Sequence, residues 1–348
     1  MIKILYFGTV PSPYQNSFWD ECRKYAEVDS LYLSSNEPGH QWAEVREGFI
    51  SVLEYEKSKI KAFFKLIRHL NRINPDVILI GGYKIRFFTI VVLWFLIRRK
   101  DIFLWLERPL PSGKIKNILR NVYLRITSFF VKGVLVIGND AYNCYCSIFK
   151  VIFNLPYSFK LDSYKFTKKR SNGGMKFLFM GQYIHRKGII ELIKSFKTIS
   201  QEDSFLSLAG GGELNEEVNS LISESNNIKN YGYLNYKDSP EFLVDHDVFI
   251  LPSRHDGWAV VIAEAMASGL FILGTSSTSA CNEYLEDTKN GLFITTEIEN
   301  ISEKISWCIN NPKKVREGGI LNQSIIENSM SNAQVSSKEL INFLKEVS

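Results

Sequence analysis

The chain has 348 residues, of which 45% are hydrophobic and 23% are charged. This length is too great for one hydrophobic core and fits about two domains, and the composition excludes a fibrous or disordered chain. The net charge of +5 is unevenly spread: residues 1–170 hold 27 Lys+Arg and 14 Asp+Glu, a net charge of +13, and the remainder carries −8. We expect the basic half to meet something anionic, such as a membrane surface, a phosphorylated acceptor or nucleic acid.

The five cysteines show neither CxxC motifs nor the spacing of a metal site, which favours a reducing cytoplasm. Residues 1–7 predict a first strand and not a signal peptide, because no cleavage site follows them. The longest apolar stretch, residues 87–97, is far shorter than the roughly 20 residues that cross a bilayer. We therefore expect no transmembrane segment.

Short apolar runs that predict strands alternate with helical patterns, in two series. The first series is Ile2–Phe7, Leu31–Leu33, Val77–Ile80, Ile102–Leu106 and Val134–Ile137. The second series is Lys176–Met180, Phe205–Ala209, Ile228–Tyr231, Val248–Leu251 and Phe271–Leu273. Such alternation predicts an α/β fold with two parallel sheets covered by helices.

A polar, glycine-containing stretch between the two series, residues 160–174, lacks periodicity and predicts a linker. We place an N-terminal Rossmann-like domain at residues 1–165 and a C-terminal one at residues 166–330. Residues 331–348 then form a C-terminal helix that could pack back on the first domain. In such sheets, ligands bind at the carboxyl ends of the strands.

Two carboxylates stand near one predicted helix start. Asp256 follows the predicted strand Val248–Leu251, and Glu264 lies about two turns into a helix that ends near Gly269. Two such charges repel each other, whereas a ligand rich in hydroxyl groups would use both. The alternative is a solvated aspartate beside an ordinary helix-face glutamate, and the spacing alone does not decide between them.

Two further strand-to-helix junctions of the second half carry anion-binding signals. Arg186 and Lys187 precede an amphipathic helix, where the helix N-terminus already favours negative charge. An arginine fork beside a lysine suits a diphosphate, although such a pair is often plain surface. Residues 210–212 are three glycines that let a ligand approach the backbone, although a glycine run is often just a turn.

These motifs together resemble the retaining glycosyltransferases of family four. The motifs are Gly181-x5-Lys187-Gly188, Gly210-Gly211-Gly212, Tyr231-Gly232-Tyr233-Leu234, Leu251-Pro252-Ser253 and Asp256-Gly257-Trp258-x5-Glu264-Ala265-Met266-Ala267-x-Gly269. The resemblance covers about residues 175–295 strongly and the first half only in general layout. It implies the GT-B architecture, in which two Rossmann-like domains face each other across a cleft.

The resemblance implies a role for each matched residue. Glu264 holds the ribose of a nucleotide-sugar donor, Asp256 contacts the donor sugar near its reacting carbon, and Lys187 stabilises the departing diphosphate. The usual arginine after the strand glycine is Gln182 here, and Arg186 is the candidate for the missing charge. The remaining predicted donor-binding residues are Gly210, Tyr233, Leu234, Gly257, Trp258 and Ala259.

The first half offers fewer candidates. Glu107 ends the predicted strand Ile102–Leu106 and could bind or activate the acceptor; a loop ion pair with Arg108 is the alternative. Basic stretches with apolar helical spacing at residues 57–68 and 84–100 predict contact with an anionic membrane, although such helices often pack on a sheet. No nucleic-acid motif accompanies the positive charge.

We predict no cofactor and no metal, because preorganised cations can stabilise the leaving diphosphate. Asp245-His246-Asp247 has the DxD form of metal-dependent sugar transferases but precedes a predicted buried strand, which favours a structural role. The five histidines show no zinc-like spacing.

The sequence thus predicts a cytoplasmic enzyme at the inner face of the cell membrane. It would move a hexose, by default from a UDP-sugar, to a lipid-linked or growing polysaccharide acceptor. The alternatives are a nucleotide-sugar epimerase or sugar phosphorylase on the same fold, or an inactive nucleotide-sugar-binding protein.

Overall fold

A computed structural model describes residues 1–33, 50–52, 59–82, 88–164, 174–199 and 204–347. The chain divides into two compact units, one formed by Met1–Lys160 with Ala333–Ser348 and the other by Leu161–Asn332. Residues 165–173, which make up most of the predicted linker, lie outside the described residues.

The first unit is built on a seven-stranded parallel sheet. Its strands are β1 (Lys3–Gly8), β2 (Glu27–Tyr32), β3 (Ile50–Val52), β4 (Val77–Ile80), β5 (Asp101–Leu106), β6 (Gly133–Val136) and β7 (Ile152–Asn154). Their order in the sheet is β3-β2-β1-β4-β5-β6-β7. The central strands are continuous apolar runs because helices cover a parallel sheet on both faces.

Among the described residues of this unit, six helices accompany the sheet. They are α1 (Pro13–Cys22), α2 (Lys59–Ile73), α3 (Phe88–Ile97), α4 (Lys114–Thr127), α5 (Asn139–Tyr145) and the C-terminal α13 (Ala333–Val347). Helix α13 packs against α1, and its Phe343 ring stacks on Phe153 of β7 at 4.5 Å between centroids. The end of the chain therefore belongs to the first unit.

The second unit is built on a six-stranded parallel sheet. Its strands are β8 (Met175–Gln182), β9 (Ser204–Gly211), β10 (Ile228–Asn230), β11 (Val248–Leu251), β12 (Phe271–Gly274) and β13 (Gly291–Phe293). Their order is β10-β9-β8-β11-β12-β13. The helices are α6 (Ile189–Lys197), α7 (Asn215–Ile222), α8 (Ser239–Val244), α9 (Val260–Ala267), α10 (Ser279–Tyr284), α11 (Ile298–Asn310) and α12 (Pro312–Glu327).

The predicted α/β class, with two Rossmann-like units, is confirmed by these sheets. Three strands were not predicted, namely β3, β7 and β13, and each has only three residues. So short a strand shows no periodicity of its own, and it forms because a neighbouring strand offers free hydrogen-bonding groups. Gly210 and Gly211, interpreted as loop residues, lie inside β9.

No helix within the described ranges combines the length and the apolar character that crossing a membrane requires. Of the two stretches predicted to contact a membrane, residues 57–58 and 84–87 lie outside the described part of the chain.

Candidate active site

The predicted site residues of the second unit lie at the point where the strand order of the sheet reverses. From β8 the chain continues outward to β9 and β10, and it then returns to place β11 on the other side of β8. The loops after β8 and β11 therefore leave neighbouring strands in opposite directions and open a crevice between them. This switch point is where parallel α/β sheets bind ligands.

A lysine and an aspartate from those two loops meet in this crevice. Lys187 ends a 3-10 turn (His185–Lys187) after β8, and its Nζ donates a short hydrogen bond to Oδ2 of Asp256. Both residues are buried, each only 9% exposed. The structure thus brings the two residues together, and Asp256 is buried where the alternative interpretation expected a solvated aspartate.

Arg186 adds a second positive charge to this pair. Its Nη1 lies 3.5 Å from Oδ2 of Asp256 and donates to the carbonyl of His255 at 2.6 Å. The guanidinium is more exposed than the lysine ammonium, with a side-chain exposure of 38%. Two cations face one carboxylate, so the cluster keeps a net positive charge that an anionic group can neutralise.

Arg254, which was not predicted from the sequence, joins the two loops. Arg254 donates from Nη1 to the carbonyl of His185 at 2.7 Å and from Nη2 to Oε1 of Glu191 at 2.7 Å. Its own backbone amide donates to the carbonyl of Arg186 at 2.8 Å. Arg254 thereby fixes the loop that carries both cations against the loop that carries the aspartate. No sequence motif marks it, because its partners come from a distant segment.

Close backbone contact explains the glycine after Lys187. Gly188 has a φ of 69°, and a Cβ there would lie 2.2 Å from the carbonyl oxygen of Pro252. Asp256 is also tied to a third loop, since its amide donates to the carbonyl of Ser277 at 3.0 Å. The aspartate is therefore positioned by three loops from three strands of one sheet.

Glu264 is buried on α9 and has a different environment from Asp256. Its Oε1 accepts a hydrogen bond from the Tyr164 hydroxyl at 2.8 Å. Burial raises the pKa of its carboxyl to about 7, and the bond from Tyr164 opposes that rise in part. Glu264 can therefore change its protonation state near neutral pH. Tyr164 was not predicted, since it lies 100 residues away in the chain.

The glycine-rich end of β9 lies at the same carboxyl edge of the sheet, on the side of β8 opposite to β11. Gly210 has a φ of 141°, and a Cβ there would lie 1.9 Å from the carbonyl oxygen of Gly181 on β8. The ring of Tyr233 lies over Gly211, where a Cβ would come within 2.5 Å of it. Tyr233 is 49% exposed, and Leu234 is partly buried beside it. Gln182 is the last residue of β8, at the same edge of the sheet.

The start of α9 presents backbone and not side chains. Trp258 is only 1% exposed, so its ring packs in the core against Tyr284. Ala259 precedes the helix with a φ of 65°, and no side chain caps the first turn. The helix begins at Val260, so Glu264 lies about one turn into it and not the predicted two turns. Its first amides remain available for an anionic ligand.

In the first unit, Glu107 directly follows β5 and stands beside tyrosines. Its carbonyl accepts a hydrogen bond from the Tyr145 hydroxyl at 3.0 Å. Burial raises the pKa of Tyr157 well above its usual range, and the charge of Glu107 raises it further. Arg108, the next residue in the chain, pairs with Asp140, with 2.8 Å between Nη1 and Oδ2.

The DxD-like residues have structural partners. Oδ2 of Asp247 accepts from the amide of Lys176 at 2.9 Å, and His246 is buried with its Nε2 2.8 Å from Oγ of Ser207. Among the residues that the structure describes, no group of three or more acidic, histidine or cysteine side chains is arranged to hold a metal ion.

Comparison with known proteins identifies relatives of this architecture. Residues 162–329 match the family model for glycosyl transferases group 1. The chain is 24% identical over 305 residues to an N,N'-diacetylbacillosaminyl-diphospho-undecaprenol alpha-1,3-N-acetylgalactosaminyltransferase of Campylobacter jejuni, covering 78% of this chain and 79% of that protein. It is 27% identical over 201 residues to the capsular polysaccharide biosynthesis glycosyltransferase CapM of Staphylococcus aureus, covering 54% and 52% of the two chains.

The structural match extends over both units. The crystal structure of Anabaena HepE in complex with UDP superposes with a TM-score of 0.80, at 15% sequence identity, over 99% of this chain and 100% of that one. Such a likeness at low identity shows that the fold is shared, and it confirms the predicted GT-B class.

Proposed function

The chain belongs to the group 1 glycosyltransferases, and from this premise we propose that it transfers a hexose from a UDP-sugar to a lipid-linked or growing polysaccharide acceptor. We further propose that the sugar keeps its anomeric configuration and that no metal takes part. The observation that carries the proposal is the Lys187–Asp256 pair with Arg186 at the switch point of the second sheet.

The two cations are proposed to stabilise the negative charge on the departing nucleoside diphosphate. When the bond between the anomeric carbon and the diphosphate oxygen breaks, negative charge grows on the diphosphate. The Lys187 ammonium and the Arg186 guanidinium lie together, and the first amides of α9 add partial positive charge nearby in the same unit. Since these groups are held in place before the substrate arrives, they need no reorganisation during the reaction. They provide positive charge of the kind that a metal supplies in other transferases.

The two carboxylates are proposed to bind different parts of the donor. Asp256, held by three loops, is proposed to accept hydrogen bonds from hydroxyl groups of the donor sugar. Glu264, held by Tyr164, is proposed to accept from the ribose hydroxyls. Tyr233 and Leu234 at the end of the sheet are proposed to line the nucleobase, and Gly210 lets the nucleotide approach the backbone.

The relatives support this donor and this class of acceptor. The fold neighbour HepE binds UDP, and the Campylobacter and Staphylococcus relatives are named for a diphospho-undecaprenol acceptor and for capsular polysaccharide. We propose that the first unit binds the acceptor, with Glu107 close to its reacting hydroxyl. A lipid-linked acceptor places the enzyme at the cytoplasmic face of the membrane.

The test is an assay of purified protein with UDP-, GDP- and dTDP-sugars, in the presence and absence of EDTA. We expect slow donor hydrolysis with UDP-sugars, unchanged by EDTA, with the released sugar keeping its anomeric configuration by NMR. Asp256→Ala and Glu264→Ala should abolish it. An epimerised sugar would assign the chain to the epimerases, and tight nucleotide binding without turnover would make it an inactive binding protein.

A further inference from the structure

Helix α4 of the first unit turns its apolar side to solvent. Five aliphatic side chains on this helix are between 49% and 75% exposed, namely Ile115, Ile118, Leu119, Val122 and Ile126. Their spacing places them within about 100° of the helix circumference. They form one continuous stripe, and we call it the α4 stripe. Scattered exposed aliphatic residues are ordinary, whereas a contiguous stripe marks an interaction surface.

The opposite side of α4 is the one that packs on the protein, and it is largely polar. Thr127 and Leu124 are buried there, and Asn117 and Arg120 are partly buried. In this helix the polar side packs on the protein and the apolar side faces solvent, which is the opposite of an ordinary amphipathic surface helix. Two aromatic residues just after it, Phe129 and Phe130, are 85% and 47% exposed and extend the apolar surface.

Positive charge borders the α4 stripe, and negative charge is absent from this part of the sequence. No aspartate or glutamate occurs between Glu107 and Asp140. Lys116 stands on one flank of the stripe and Lys114 and Arg125 on the other, all three exposed. Long basic side chains beside an apolar stripe can reach lipid phosphates while the aliphatic residues enter the acyl region.

We propose that the α4 stripe, with Phe129 and Phe130, is the surface by which this protein lies in the interface of an anionic phospholipid bilayer. A second copy of the chain is a poorer occupant, because a symmetric contact would bring the same basic flanks together. The inference rests on the proposed function in one respect: a lipid-linked acceptor is met at such a surface. The predicted stretches at residues 57–68 and 84–100 do not include α4.

The experiment is flotation of the full-length protein with vesicles of phosphatidylcholine alone, and with vesicles of equal parts phosphatidylcholine and phosphatidylglycerol. We expect the protein to float with the anionic vesicles at low salt and less at high salt. Ile118→Asn combined with Leu119→Asn should weaken partitioning about tenfold or more, since two inserted side chains are lost. Lys116→Gln combined with Arg125→Gln should weaken binding to anionic vesicles about fivefold per removed charge.

A matched control lies in the second unit. Ile320 and Leu321 on α12 are 59% and 40% exposed, so the same two substitutions there remove an equivalent apolar pair. This control should float like the wild type. If Ile118→Asn with Leu119→Asn floats unchanged, or if sedimentation shows a dimer that these substitutions dissociate, the membrane proposal is wrong.

Hydrolysis of a soluble UDP-sugar without lipid separates the two proposals. The α4 variants should keep wild-type hydrolysis, because they leave the donor site intact. If the wild type floats with anionic vesicles but hydrolyses no UDP-sugar, the proposed function is wrong. The membrane proposal would still be supported by that result.

Discussion

The carboxyl ends of the two parallel sheets carry different chemistry, although both sheets have the same strand-helix alternation. In the second unit this edge is charged, with Lys187, Asp256 and Arg254 linking the loops. In the first unit the residue at this edge is Glu107, which lies beside tyrosines: the Tyr145 hydroxyl donates to its carbonyl at 3.0 Å, and the ring of the neighbouring Tyr157 lies 5.1 Å from that of Tyr14, between centroids.

This difference shows that the sheet topology determines where a ligand can bind, whereas the side chains at that edge determine which ligand binds. A charged edge with helix N-termini suits an anionic diphosphate. A carboxylate beside tyrosine side chains suits a neutral ligand that is rich in hydroxyls. The contrast agrees with the proposed division, in which the second unit holds the donor and the first unit the acceptor.

Of the changes that follow, removing a cation of the charged edge has the largest expected effect. Lys187→Ala should lower kcat/KM for donor hydrolysis by about 10²–10³-fold, because a preorganised group facing the leaving diphosphate is lost. Lys194→Ala on α6, which removes an exposed lysine from the same unit, is the matched control and should keep full activity. Steady-state kinetics with a UDP-sugar measures both variants.

The stability of the Lys187→Ala variant must be measured separately from its activity, because the substitution removes the ammonium that pairs with the buried Asp256 carboxylate. Combining Lys187→Met with Asp256→Asn removes both charges of the pair, so its Tm should recover toward the wild-type value. Its activity should not recover. Recovery of both would mean that the pair has only a structural role.

The second effect concerns the dependence of protein stability on pH, through the buried Glu264 carboxyl. The folded state holds the Glu264 proton more tightly than the unfolded state, since its pKa rises from 4.5 to about 7. Its contribution to stability is thus full below about pH 4.5 and is lost as pH rises through about 7. Glu264→Gln should therefore lose less stability than the wild type between about pH 5 and pH 8, as measured by thermal unfolding.

Donor affinity should show the opposite trend with pH. If the ionised Glu264 carboxylate accepts the ribose hydroxyls, UDP should bind the wild type more tightly as pH rises through about 7. Glu264→Gln should bind UDP about 10–100-fold more weakly at high pH, with little pH dependence. Calorimetric titration with UDP measures this. A wild type and a variant with parallel pH profiles would exclude Glu264 as the ribose ligand.

A smaller effect tests Glu107 in the first unit. Glu107→Gln keeps the size of the side chain and removes its charge beside Tyr157. We expect about a tenfold to hundredfold fall in transfer to the acceptor, as for the loss of a general base or a binding contact. The dissociation constant for UDP should stay unchanged. Weaker UDP binding in this variant would contradict the division of roles between the units.

The smallest effect concerns the backbone at the start of α9. Ala259 has a φ of 65°, in the left-handed region that costs a residue with a Cβ about 1–2 kcal/mol. Ala259→Gly relieves this strain but adds freedom to the unfolded chain, so we expect a net gain of about 0.5–1 kcal/mol. Chemical denaturation measures it. A loss of stability would show that the methyl group packs usefully against its surroundings.

The residue pattern alone predicts most of the fold and part of the site. Continuous apolar runs such as Val248–Leu251 locate buried strands, because a parallel strand is covered on both faces. Glycines and charges directly after those runs locate the loops at the carboxyl edge. Asp256 and Lys187 were proposed as site residues in this way. Three-residue strands such as β7 were missed because their pairing depends on a neighbouring strand.

Partners that are distant in the chain could be found only in the folded protein. The Lys187–Asp256 bond, the Arg254 contacts and the Tyr164–Glu264 bond each join residues at least 63 positions apart. Local spacing carries no information on such pairs. The same holds for α4: its periodicity specifies which residues share a side, whereas packing decides which side faces the sheet. In the folded protein the buried positions of α4 are Leu124 and Thr127 on its polar side, which leaves the apolar side to solvent.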